Sequence, residues 1–68
     1  MKEKTLEEYP EIMTASHIAS YLHISRRRVY ELLKLSPANG GIPCIEIGIS
    51  KRVLREDLMK WIEMQKVS

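Results

Sequence analysis

Three consecutive arginines, Arg26, Arg27 and Arg28, open a short segment that also carries Tyr30, Glu31 and Lys34. A guanidinium is a planar, permanently charged fork of N–H donors. It pairs with phosphate oxygens, or reads the O6/N7 edge of guanine through two parallel hydrogen bonds. Helical spacing sorts the segment into two faces. Val29, Leu32 and Leu33 fall on an apolar side. Arg27, Tyr30, Glu31 and Lys34 fall opposite, with Arg26 and Arg28 on the flanks. Three positive charges at a helix start oppose the helix macrodipole, so the run works against the helix that carries it. That cost points to a polyanionic partner.

The elements around this segment follow from caps and periodicity. Ser25 is a good N-cap for a helix from Arg26 to about Leu35. Upstream, Thr14 caps a helix from Ala15 to about Leu22, with Ile18 and Leu22 on one face and Ala15 and Ala19 beside them. The small Ala19 side chain allows a second helix to approach closely. The capping box is expected to be incomplete, because His17 stands where Glu or Gln would reach back. His23 and Ile24 form the corner between the helices. Such a corner needs a positive φ, usually supplied by Gly, and His23 is expected to take it. Two short helices at a tight corner are a helix-turn-helix, whose second helix suits the major groove of DNA.

Beyond it, residues 36–41 (Ser-Pro-Ala-Asn-Gly-Gly) read as a loop. Ile42 to Ile47 and Arg52-Val53-Leu54 read as two strands joined by a turn at residues 48–51, with Ile45, Ile47 and Val53 as inward positions. A last helix runs from about Arg55 to Lys66, its buried stripe being Leu58, Trp61 and Ile62 and its first turn favoured by Glu56 and Asp57. Trp61 at core spacing is a packing residue rather than a base-stacking platform. The expected fold is mainly α with a small β-hairpin: helix, helix, two-stranded wing, helix. Lys51 and Arg52 on the hairpin form a second cationic group flanking the arginines. They serve either phosphate binding or solubility. Arg27 is the first choice for a base contact and Arg28 the second. Lys34 suits a phosphate contact, which sets register without reading sequence. Tyr30 is either a phosphate contact or a half-buried surface ring. Glu31 either accepts from cytosine or repels wrong sequences.

Bulk properties limit the alternatives. The chain has 68 residues, 44% hydrophobic and 29% charged, which suits one small globular domain with a modest core. Lys2 and Lys4 against Glu3, Glu7, Glu8 and Glu11 give residues 1–11 a net charge of −2, whereas the remainder is net +4. Residues 1–12 are expected to form a frayed N-terminal arm, with Ile12 or Met13 tucked against a domain spanning residues 13–68. The single cysteine, Cys44, excludes an internal disulfide and reads as a small buried hydrophobe in a reducing cytoplasm. One Cys and two His without paired spacing make no zinc site. No catalytic motif and no phosphate-cradling glycine loop is present, so neither enzymatic activity nor a cofactor is expected. No apolar run has the length of a signal or membrane segment.

The chain resembles the excisionase-type winged helix-turn-helix family, related to MerR-like DNA-binding domains. The resemblance rests on Met13-Thr14, Ile18-Ala19-Ser20-Tyr21-Leu22 and Ile24-Ser25-Arg26-Arg27-Arg28-Val29-Tyr30. It continues in Ile47-Gly48, Arg52-Val53, Arg55-Glu56-Asp57-Leu58 and Trp61-Ile62. It departs from the pattern at His23, which replaces a turn glycine, in a longer loop at residues 36–41, and at Ile49, where the family favours a second glycine. An apolar Ile49 either wedges between base steps or folds back onto the protein, and the second is favoured here. The resemblance implies double-stranded DNA as partner, with Arg26, Arg27, Arg28 and Tyr30 in the major groove and Arg52 on the wing contacting the minor groove or phosphates. It further implies an excisionase that binds repeated sites cooperatively, bends DNA and assists an integrase, in the cytoplasm on the nucleoid. A MerR-type regulator would add a dimerisation helix and an effector domain, neither of which is expected. A lone module covers only about 600–1,000 Å² on DNA, so useful affinity needs adjacent copies. The alternatives are a small transcriptional regulator of a phage or mobile element, and a protein-interaction adaptor using the same fold.

Overall fold

The structure is a computed structural model in which residues 5–66 are described. Three helices, α1 (Ala15–Leu22), α2 (Arg26–Lys34) and α3 (Arg55–Gln65), pack with strands β1 (Ile12–Met13), β2 (Ile45–Ile47) and β3 (Ser50–Leu54). The expected order of two helices, hairpin and final helix holds, and the fold is a winged helix-turn-helix. One strand more than expected is present. β1 pairs antiparallel with β3, in the register Ile12 to Leu54 and Met13 to Val53, so the sheet order is β1-β3-β2.

Side-chain capping explains where α1 and α2 start. Ser25 Oγ accepts the Arg28 amide at 3.1 Å. Thr14 Oγ1 accepts the His17 amide at 3.3 Å, and His17 Nδ1 accepts the Thr14 amide at 3.1 Å. The capping box is therefore complete, contrary to expectation. An imidazole nitrogen replaces the carboxylate or amide oxygen, reaching the same N–H because it too is an acceptor a few bonds from Cβ. At the corner, His23 takes the left-handed conformation at φ 59°, ψ 41°, as expected. Its amide and that of Ile24 both donate to the Ala19 carbonyl, closing the end of α1.

The core draws one fully buried side chain from nearly every segment: Met13, Ile18, Val29, Ile42, Val53 and Leu58. Leu22, Leu32, Trp61 and Ile62 are half-buried against it. Trp61 also donates its indole N–H to the Gly40 carbonyl at 3.1 Å, tying α3 to the loop after α2. The hairpin departs from expectation in parity. Val53 is buried, but Ile45 and Ile47 are 40% and 58% exposed. β2 pairs Ile45 with Arg52 and Ile47 with Ser50, placing both isoleucines on the face opposite Val53. Ile42 and Cys44, one step out of phase, turn toward the core instead.

The arm also differs from the frayed segment expected. Residues Leu6–Glu8 form a 3₁₀ turn, and Leu6 and Tyr9 are buried. The Tyr9 ring meets His17 and Tyr21 edge-on, with centroids 5.9 and 5.6 Å away. Its hydroxyl donates to Ser20 Oγ at 3.3 Å. Arg55 straps the arm down: its guanidinium donates to the Glu7 and Tyr9 carbonyls at 3.1 and 2.7 Å. Its amide donates to the Glu11 carbonyl at 2.7 Å. Residues 1–4, also assigned to the arm, lie outside the described residues.

Candidate nucleic-acid interface

Residues Arg26 to Arg28 occupy the first turn of α2, all three exposed. Val29 and Leu33 turn inward, which forces Arg26, Arg27, Tyr30, Glu31 and Lys34 to the outside. These five line one shallow groove along the helix. Tyr30 is 52% exposed. Neither Arg26, Arg27 nor Lys34 has an intramolecular partner among the described residues. Arg28 differs. Its guanidinium donates to Glu31 at 3.2 Å, one turn along the helix. Both groups are more than half exposed, so the pair adds only a few tenths of a kcal/mol, about 0.2–0.5, and opens at little cost.

The hairpin completes the surface. A cleft lies between the start of α1 (Thr14, Ala15, Ser16), the outer face of α2 (Tyr30, Lys34) and the wing (Ile49, Ser50, Lys51, Arg52). Tyr30 and Lys34 border both this cleft and the groove along α2, so the two are continuous. The structure thus brings Tyr30, Lys34, Lys51 and Arg52 into one cleft and places Arg26 and Arg27 beside it. Arg28 lines neither. Thr14, Ala15, Ser16, Ile49 and Ser50 are additional walls that the sequence reading left out of the site residues. The apolar pattern and cap at Thr14 placed a helix start there, but not its position opposite the wing.

Lys51 has an internal duty. Its ammonium lies 3.4 Å from the Leu33 carbonyl at the C-terminal end of α2. Cys44 Sγ approaches the same carbonyl at 3.9 Å, and the Ile42 amide donates to the Leu32 carbonyl at 3.2 Å. The last carbonyls of a helix lack partners within it and carry its negative dipole end. Lys51 and the chain leading into β2 supply those partners, which sets the hairpin against α2. Arg52 donates to the Lys51 carbonyl at 3.0 Å, orienting its guanidinium near the cleft.

The sequence model of a family described as a helix-turn-helix domain matches residues 12–66. The chain belongs to this family, one of excisionase-like small DNA-binding domains. No curated protein and no solved structure matches the chain. The matched span takes in β1, all three helices and the wing, so every wall of the cleft lies within the helix-turn-helix domain. Among the described residues no polar or charged side chain is buried. No group of three or more His, Cys, Asp or Glu is placed there to hold a metal ion. No helix among those residues is long and apolar enough to cross a membrane.

Proposed function

We propose that this chain is a sequence-specific double-stranded DNA-binding protein that acts as an excisionase. It binds repeated sites, bends the DNA and assists an integrase without itself catalysing a reaction. The observation that carries the reading is the continuity of the surface from Arg26 and Arg27, across Tyr30 and Lys34, to Lys51 and Arg52. Cations from a helix and a hairpin then grip one side of a duplex. Each phosphate neutralised releases counterions, which makes binding tighten as salt falls.

In this reading α2 enters the major groove, and Arg27 reads a guanine edge. Arg28 reads a second base once it parts from Glu31. Arg26, Tyr30, Lys34 and Arg52 hold phosphates and fix the register. Lys51 has three N–H donors and one acceptor at Leu33, so it reaches a phosphate while still docking the hairpin. One helix and one wing form a module-sized contact, whose affinity rises by placing copies side by side on repeats.

The test has two stages. Selection from randomised duplexes, followed by a salt-titrated gel shift, identifies the site and shows cooperative binding where it repeats. Reconstituted excision with the integrase of the same element is then expected to depend on the chain. Site-specific binding with no effect on excision would instead identify a transcriptional regulator. Absence of duplex binding even in dilute salt would overturn the reading altogether.

A further inference from the structure

Ile49 is the most exposed of the large apolar side chains among the described residues, with its full surface in water. It did not fold back onto the protein, the outcome favoured from sequence. The turn explains why. β2 and β3 join through two residues, Gly48 and Ile49, and only Gly48 has positive φ, at 61°. That is the pattern of a type II′ hairpin turn, which demands glycine at the first central position and admits a side chain at the second. The second glycine favoured by the resemblance is thus unnecessary, and the apex holds an isoleucine on a short, hydrogen-bonded base.

Position gives this side chain a partner. Ile49 shares the cleft with Tyr30 and Lys34 of α2, so it faces whatever α2 binds. Ser50, Lys51 and Arg52 follow it along the same wall, bringing two cations beside the apolar tip. A polar tip would suffice for phosphate contact alone. An apolar tip with cations beside it matches a duplex groove, where charged phosphate rims enclose sugars and base edges. The minor groove is about 6 Å wide, enough for one side chain but too narrow for a helix, and side chains wedged there part base steps.

We propose that Ile49 inserts into the minor groove of the bound duplex as a wedge that unstacks one base step and bends the DNA. This inference rests on the DNA-binding reading above and assigns the bend to a single residue. Flexible pyrimidine–purine steps beneath the wing are preferred, since they part most readily.

The experiment compares the full chain with Ile49→Ala and Ile49→Lys on the selected duplex. The duplex is end-labelled for energy transfer and carries 2-aminopurine at each flanking step in turn. Circular dichroism melts of both variants match the parent, because Ile49 is not packed against the core. The parent raises 2-aminopurine fluorescence at one step and shortens the end-to-end distance. Ile49→Ala abolishes both signals and weakens binding about tenfold, the scale of one lost apolar burial, with the salt slope unchanged. Ile49→Lys steepens the salt slope but does not restore the bend. An Ile49→Ala variant that bends and unstacks the duplex like the parent overturns the wedge, as does a parent that does neither; the DNA-binding reading survives both results. A parent that binds no duplex removes both.

Discussion

Arg27 and Lys34 lie on the same face of α2, and under the proposed function they act on different parts of a duplex. A guanidinium in the first turn reaches a base edge, whereas an ammonium two turns on meets the backbone. Arg27→Ala is therefore expected to lose about 1–3 kcal/mol on the preferred site and to relax selection at one position. Lys34→Ala weakens all sequences alike and lowers the salt slope by about one unit. Gel shifts on the preferred and a scrambled duplex, each across a salt series, separate the two. An unchanged site preference in Arg27→Ala contradicts the base contact. His17 is a residue whose role lies in stability. Its Nδ1 accepts the Thr14 amide while its own amide donates to Thr14 Oγ1, and its ring meets Tyr9. His17→Ala is expected to cost about 1 kcal/mol, with His17→Gln recovering part of it by restoring an acceptor. Thermal melts of the two variants decide this. The histidine box was not legible in the sequence because the usual motif specifies Glu or Gln, although an unprotonated imidazole nitrogen offers the same lone pair.

At the scale of elements, the decisive junction is the end of α2. Leu35 leaves the helix in an extended conformation, and the chain returns through a 3₁₀ turn at Pro37–Asn39 to lay Gly41 against it. A Cβ on Gly41 would overlap the Leu35 carbonyl and lie 2.8 Å from the Leu32 oxygen. Both obstacles are backbone, so they cannot rotate away. Gly41→Ala is expected to destabilise by about 3 kcal/mol, and the loosened hairpin also weakens DNA binding. Denaturant titration checks the first effect and a gel shift the second; a Gly41→Ala protein as stable as the parent contradicts the close approach. The loop was legible as a loop, from Pro37, Asn39, Gly40 and Gly41. Its packing against α2 was not, because that contact depends on where the helix stops. The hairpin shows the same division. Ile45, Ile47 and Val53 are all apolar and β-branched, so residue type leaves two phases open. Pairing Ile45 with Arg52 chose the phase that turns both isoleucines outward.

For the whole molecule, the distribution of cations over partners matters more than net charge. Arg55 is committed to the arm, Lys51 to the end of α2, Lys66 to Glu63 and Arg28 loosely to Glu31. Arg26, Arg27 and Lys34 retain no internal partner among the described residues, and they lie together. Arg55→Ala is expected to release the arm, costing about 1–2 kcal/mol for hydrogen bonds to a charged group, with faster proteolysis before Met13 and α2-dependent site preference retained. Limited proteolysis and a melt test this; an arm as protected as in the parent contradicts the strap. From its residues alone the chain determined its helices, the side-chain caps at Thr14 and Ser25, the left-handed corner at His23 and the exposed arginine run, because these follow from side chains within a turn or two of one another. Tertiary structure decided the third strand, the burial of Tyr9, the outward isoleucines and which cations stay available. Those outcomes arise between residues up to about fifty positions apart, where strand register and the fit of one surface on another select among arrangements that local chemistry leaves equal.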